Sequence, residues 1–392
     1  MCKAPRVSLG DPNGRDRLTV AVDATPLLGV RTGVGMFCGG ALEALGQRPG
    51  LDMAAFAVTW RRRHLLGPLV PAHVRVVERP MPARPLHRIW ARLSVPPIEW
   101  FTGPADVVHG TNFVVPPTRH AARVVTVHDL TAVRFPALCD ASTLRFPEFV
   151  RRAIAEGAWV HTPSRFVADE VVAEFAAVPE RVRVVHHGIP GHEPASSSTH
   201  PPPTRLSLPE GTDRYVLALG TVEPRKDLPG LVRAFDRLAG DHGDVALVLA
   251  GAHGWGDDAL ERAVAASPWS DRIVRPGYVD DDHRRDLLAG ASVLAYPSVY
   301  EGFGFPPLEA MAVGVPVVAT AVGAIPEVTG DGALLVAPGD VDALAGALAD
   351  VVGDKGISDE LIARGRARAA LFTWRSCGEG LAALYTAAAQ SR

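Results

Sequence analysis

The stretch Leu217-Ala218-Leu219-Gly220-Thr221-Val222-Glu223-Pro224-Arg225-Lys226-Asp227 runs from an apolar segment through a glycine turn to two adjacent cations. A short apolar run closed by Gly is the pattern of a strand buried on both faces, and the amphipathic text that follows reads as a helix. The same unit repeats outward. Strands are expected over 215–219, 245–249, 273–275, 293–295 and 315–319, and helices over 228–239, 258–266, 282–289 and 307–312. The first half carries a similar series, with strands over 18–22, 53–58, 74–77, 107–109, 124–127, 159–161 and 182–185 and helices over 34–45, 146–156 and 164–175. Strands alternating with helices predict parallel sheets, so the fold class is α/β with two doubly wound units.

The text from His192 to Pro209 has neither period and is rich in Pro and Ser, which marks a linker. The expected organisation of the 392 residues is a first domain over 1–195, a linker over 196–210, a second domain over 211–373, and a final segment over 374–392. That last segment reads as a helix after an irregular stretch, able to pack back on the first domain. Two such sheets joined by one linker place a cleft between their carboxyl ends.

A composition 47% hydrophobic and 21% charged predicts a packed globular chain. Cys2, Cys38, Cys139 and Cys377 lie far apart, which argues against a zinc site or disulfide framework and for a reducing compartment, with the cytoplasm expected. The first 17 residues lack the apolar core of a signal peptide, and the uncharged run 311–326 is broken by Gly and Pro. The net charge of -3 divides unevenly: 23 Lys+Arg against 17 Asp+Glu before residue 200, and 17 against 26 after it. Between Arg61 and Leu93 arginines alternate with Leu86, Ile89 and Trp90, a stretch that suits either a solvated surface or peripheral contact with an anionic membrane. Nucleic-acid binding is not expected, because the net charge is negative and Trp90 is the stretch's one stacking platform.

Several strand ends carry candidate chemistry. Arg225 and Lys226 stand at the expected amino end of a helix, where cations oppose the dipole unless an anion such as a diphosphate compensates. Glu301 and Glu309 flank Gly302-Phe303-Gly304, with Pro306 and Pro307 expected to open a helix whose first turn contains Glu309. Gly33 and Gly35 leave backbone amides open to a phosphate or sugar, or simply form a turn. His128-Asp129 ends a strand, where it suits either a substrate hydroxyl or an ordinary turn. Asp280-Asp281-Asp282 reads as helix capping better than as a divalent-metal site.

In this order the motifs resemble the retaining glycosyltransferases of family 4, which have the GT-B fold of two Rossmann-like domains. The resemblance rests on Asp23 with Thr32-Gly33-Val34-Gly35, Val127-His128-Asp129, Ser164-Arg165-Phe166, His187-Gly188-Ile189, the Gly220 to Asp227 stretch, and Glu301 through Glu309. It implies that Arg225 and Lys226 neutralise a donor diphosphate, that Glu309 binds the ribose, and that Glu301 contacts hydroxyls of the transferred sugar. It further implies that Gly302, Phe303 and Gly304 run along sugar and phosphate, that Gly33 and Gly35 approach from the first, acceptor-binding domain, and that His128 bonds the sugar. The base is expected at the loop from Gly277 to Val279, and Glu327 and Val328 on a helix beside the nucleotide. His187 departs from the family, which commonly has Asn there.

The implied activity is transfer of a hexose, with retention and without metal or cofactor, from a nucleotide-diphosphate sugar to a glycan, lipid-linked or small-molecule acceptor. The Asp23, Gly33 to Gly35 and His128-Asp129 text is most similar to bacterial mannosyltransferases of cell-surface glycans, which points to GDP-mannose. Two other readings stand beside it: a GT-B epimerase or hydrolase that needs no acceptor, and a catalytically silent sugar-nucleotide-binding subunit.

Overall fold

The computed structural model describes residues 17–29, 32–141, 143–190 and 207–391. Most of the expected linker, Cys2 and Arg31 lie outside the described residues. Strands β1 (Leu18–Asp23), β2 (Leu51–Phe56), β3 (Arg75–Val77), β4 (Val107–Gly110), β5 (Ala122–Thr126), β6 (Trp159–Thr162) and β7 (Val182–Val184) form one sheet in the order β3-β2-β1-β4-β5-β6-β7. Strands β8 (Arg214–Leu219), β9 (Val245–Ala250), β10 (Ile273–Gly277), β11 (Val293–Tyr296), β12 (Val317–Thr320) and β13 (Ala333–Val336) form a second, ordered β10-β9-β8-β11-β12-β13.

All strand pairs are parallel. Helices cover both faces, so central residues such as Val20, Val107, Leu217 and Leu247 are fully buried. In each sheet the order reverses beside the first strand, between β1 and β4 and between β8 and β11. Crevices of this kind, at strand carboxyl ends, are where doubly wound sheets take ligands.

The stretch before the last helix, expected to be irregular apart from a helix at Glu327 and Val328, holds the helix Ile325–Thr329, β13 and the helices Val341–Gly353 and Lys355–Ala369. β13 is only four residues long and half-buried, and Val341–Gly353 is dominated by Ala, Val and Gly, so the period of either is faint.

The helix Trp374–Gln390 lies against the helix Gly33–Gly46 and strands β4 and β5 of the first sheet. A directional chain of hydrogen bonds fixes it there. His161 Nε2–H donates to the carbonyl of Val185 (3.0 Å), so its Nδ1 accepts from the Thr126 hydroxyl (2.9 Å). Thr126 Oγ1 then accepts from His109 Nε2–H (2.7 Å), and His109 Nδ1 accepts from the Tyr385 hydroxyl (2.7 Å). Every link is buried, and burial holds both imidazoles neutral, His161 down to about 3 and His109 well below the ordinary histidine range. Ile189 N–H donates to the carbonyl of Phe372 (3.0 Å), so the end of the first domain and the entry to the last helix run side by side.

Candidate active site

At the carboxyl end of β8, Pro224–Lys226 is a single 3-10 turn, and Asp227, at φ 43°, caps the following helix Leu228–Asp241 by accepting from Gly230 N–H (3.1 Å). The expectation that Arg225 and Lys226 oppose the helix dipole is therefore corrected. They stand before the cap, and Asp227 meets the dipole.

The two cations converge instead on Glu301, in the loop after β11. Glu301 Oε1 accepts from Lys226 Nζ (2.5 Å), Arg225 (2.8 Å) and the Ser298 hydroxyl (2.8 Å). Arg225 Nε donates to Glu223 (2.7 Å), and Lys226 also donates to the Tyr296 hydroxyl (2.7 Å). Lys226 and Glu301 are only 9% and 7% exposed, so the pair is taken out of water. Burial alone would raise the Glu301 carboxyl, but Arg225 and Lys226 outweigh it and hold the group down to about 2. Burial draws the Lys226 ammonium below the ordinary lysine range. Of five guanidinium and three ammonium N–H donors, these contacts engage two of each. The remainder can grip an anion.

Glu309 is also buried, at 6% exposure, and pairs with Arg284. Its helix begins at Phe305, with Gly304 at the N-cap in the left-handed region, so Pro306 falls one residue inside and Glu309 lies in the second turn. The expected first-turn position is corrected, and the dipole does not explain this acid. Arg284 also reaches Met36 Sδ (3.7 Å), in the first turn of the first domain's helix Gly33–Gly46. There Met36 N–H makes the first intrahelical bond, to Thr32 (2.9 Å), which leaves the earlier amides, including those of Gly33 and Gly35, outside the helical ladder. Gly33 faces Phe305 across the cleft, since a Cβ there would lie 3.3 Å from its ring.

His128 follows β5. Its Nε2–H donates to the carbonyl of Thr111 (2.8 Å), which fixes the tautomer and leaves Nδ1 as the lone-pair nitrogen. Burial lowers its pKa, so the ring is a neutral acceptor at neutral pH. Gly302 packs on the same backbone: a Cβ there would sit 1.9 Å from the carbonyl oxygen of His128, so no larger residue fits. Phe303 and Phe305 flank His187, which stacks on Phe305 with ring planes 10° apart and lies 4.3 Å from Phe37. The departure at His187 is thus a buried aromatic packing element.

The structure brings Arg225, Lys226 and Glu301 into direct contact and sets Gly302 against His128. Glu309 and Gly33 join through Arg284, Met36 and Phe305. Val279 packs on the core near the end of edge strand β10. Asp280 caps the helix Asp281–Gly290 through His283 N–H (2.9 Å). Glu327 and Val328 lie on the expected helix, Ile325–Thr329, and Glu327 caps the first domain's helix Arg165–Phe175, accepting from Arg165 and Phe166 N–H (2.8 and 3.0 Å), with its Oε1 3.0 Å from His186 Nε2.

Sequence reasoning missed Ser298, Tyr296, Glu223 and Arg284 as site residues. Glu223 and Ser298 are polar residues beside strand ends already singled out. Arg284 follows the Asp280 cap by one helical turn, a spacing that leads from the capped end to the cleft.

Two doubly wound sheets facing across a cleft, with buried cations and carboxylates at the second switch point, form the GT-B architecture. The family described as glycosyl transferases group 1 matches residues 205–368, and the description Glycosyltransferase Family 4 matches residues 33–191. The chain is 33% identical over 273 residues to O-antigen chain mannosyltransferase B of Escherichia coli, covering 69% of this chain and 71% of that protein. It is 33% identical over 247 residues to the MMP alpha-(1->4)-mannosyltransferase of Mycolicibacterium hassiacum, covering 61% and 56%. In fold it is similar to sucrose-phosphate synthase from Thermosynechococcus elongatus, with a TM-score of 0.71 and 21% identity over 96% of this chain and 100% of that one. The chain belongs to the family 4 glycosyltransferases.

Proposed function

We propose that this glycosyltransferase moves a hexose, mannose first among them, from a nucleotide-diphosphate sugar to an acceptor hydroxyl with retention at the anomeric carbon. The observation that carries the reading is the buried cluster of Arg225, Lys226 and Glu301, with N–H donors left for a diphosphate. As the bond from sugar to diphosphate breaks, charge grows on the leaving oxygen, where these cations are preorganised. Losing one such contact costs about 3 kcal/mol, or about a hundredfold in rate. Glu301 Oε2 and neutral His128 accept hydroxyls of the sugar, Glu309 takes the ribose, and the amides near Gly33 and Gly35 close from the acceptor domain. Cations at the leaving group supply the charge stabilisation that a metal would otherwise give.

The names of the two mannosyltransferases, at 33% identity, support mannose and hence a GDP-mannose donor. Among the described residues no helix is long and apolar enough to cross a membrane. The exposed Leu65, Leu69, Ile89 and Leu93 among the arginines support peripheral contact with an anionic membrane surface at the cytoplasmic face.

Labelled nucleotide sugars incubated with and without glycan acceptors test the reading. Acceptor-dependent sugar transfer, lost in the Arg225→Ala, Lys226→Ala double variant, is expected. Full turnover without any acceptor would instead make the protein a hydrolase or epimerase. In a thermal-shift screen of GDP, UDP, TDP and ADP, GDP is expected to stabilise by about 2.7 kcal/mol at a hundred times its dissociation constant. Stabilisation by UDP alone would exclude GDP-mannose.

A further inference from the structure

A cavity of about 250 Å³ opens beside Arg225 between the two domains. Phe113 and Phe146 stack in its wall, with centroids 4.8 Å and planes 10° apart, and Val150 and Phe175 continue the apolar lining. Phe113 sits at φ 58°, a strained position for a bulky residue, held by its N–H on the carbonyl of Thr126 (2.9 Å).

Asp129 and Thr131 also line the cavity. Thr131 N–H donates to Asp129 Oδ1 (2.8 Å), but the Thr131 hydroxyl, on a residue 6% exposed, has no hydrogen-bond partner among the described residues. Buried polar groups are rarely left this way, so this hydroxyl has a hydrogen bond to give to a water or to a ligand hydroxyl in the cavity.

Trp255 of the second domain completes the lining. The Gly254 backbone lies so close to Val222 that a Cβ would sit 2.3 Å from its carbonyl oxygen, and Gly256 N–H donates to the same oxygen (3.1 Å). Trp255 is thereby pinned beside the turn that carries Arg225, and its indole N–H crosses the cleft to the carbonyl of Leu138 (3.0 Å).

We propose that this cavity seats the acceptor as an alcohol carried on a single apolar ring, with the attacking hydroxyl at Thr131 and Asp129, and that Trp255 straps the ring in place. The proposal rests on the glycosyl-transfer reading and names the acceptor class for it. An apolar cavity of about 150 Å³ admits a benzene ring, so about 250 Å³ has room for one substituted ring against the stacked phenylalanines. In the transfer, the acceptor oxygen bonds to the anomeric carbon while the bond from that carbon to the diphosphate breaks. The diphosphate leaves with the electron pair and takes the hydroxyl proton.

Cys139 lines the cavity and is half-buried, so its alkylation, read by peptide mass spectrometry, reports occupancy without turnover. At equal concentration, 4-methoxybenzyl alcohol is expected to slow that alkylation at least tenfold more than myo-inositol, and to accept sugar with a kcat/KM at least tenfold higher. Trp255→Ala should erase both differences while stabilisation by the nucleotide diphosphate stays unchanged. Thr131→Val should leave the unfolding midpoint of the free protein unaltered and lower kcat about tenfold with little change in KM. A midpoint that falls would make the hydroxyl structural. Equal or better protection by inositol would overturn the apolar acceptor even if transfer is found. Protection by the arene with no transfer from any nucleotide sugar would keep the site and remove the glycosyl-transfer reading.

Discussion

At the scale of the residue, Glu301 decides how the site is poised. Its Oε1 holds three donors at once, and its charge is what lets Arg225 and Lys226 stay ionised out of water. Glu301→Gln keeps the shape and removes the counter-charge. Taking one partner from a buried pair costs about 3 to 5 kcal/mol, so the unfolding midpoint should drop clearly. Free nucleotide diphosphate should bind more tightly, because the cations then lack their internal anion, while transfer falls about a hundredfold. Titration of the diphosphate beside a transfer assay checks this split; binding and rate falling together would mean that Glu301 merely holds the loop. The sequence made Arg225, Lys226 and Glu301 legible as charges near one cleft. Their pairing was not legible, because it depends on how two loops after non-adjacent strands β8 and β11 meet in space.

Among the elements, every strand of the first sheet and five of the six in the second follow from apolar runs, since burial on both faces writes itself directly into composition. β13 and the helices Val341–Gly353 and Lys355–Ala369 do not: β13 is four residues long, Val341–Gly353 is mostly Ala, Val and Gly, and Lys355–Ala369 buries only Leu361, Gly365 and Ala369. The last helix is legible as a helix, but what anchors it is not: the chain from Tyr385 through His109, Thr126 and His161 to Val185 links residues up to 276 positions apart. Tyr385→Phe keeps the ring and removes the hydroxyl, leaving His109 Nδ1 buried without a donor. The expected loss is about 1–3 kcal/mol, seen as a lower midpoint in denaturant with an unchanged slope. An unaltered midpoint would show that packing alone holds the helix.

Across the whole molecule, the two domains meet through buried imidazoles and backbone caps. Ser164 donates to the carbonyl of Gly302 (2.9 Å), Leu130 N–H donates to the Tyr300 hydroxyl (2.9 Å), and Glu327 caps the facing helix. His187 sits at the centre of this seam, and burial holds it well below its ordinary value, as it does His109 and, to about 3, His161. A histidine depressed on folding takes up its proton when the chain unfolds, so the unfolded state binds more protons below pH 6.5 and stability falls as pH falls. Each such group contributes up to about 1.4 kcal/mol per pH unit, so these three contribute up to about 4 kcal/mol per unit below pH 6, and His128, lowered by burial as well, acts in the same direction. Glu301 adds to the loss only below its ordinary value of 4.5, on the way down to about 2. Acid should therefore weaken the first domain and the seam before the charged cluster of the second. Thermal midpoints at pH 7.5, 6.5, 5.5 and 5.0 should be level at the top of the range and drop steeply below 6.5, and His161→Gln should flatten that slope by about one proton. A midpoint constant from pH 7.5 to 5.0 would mean that the three imidazoles are hydrated in solution and that the seam is looser than its packing here.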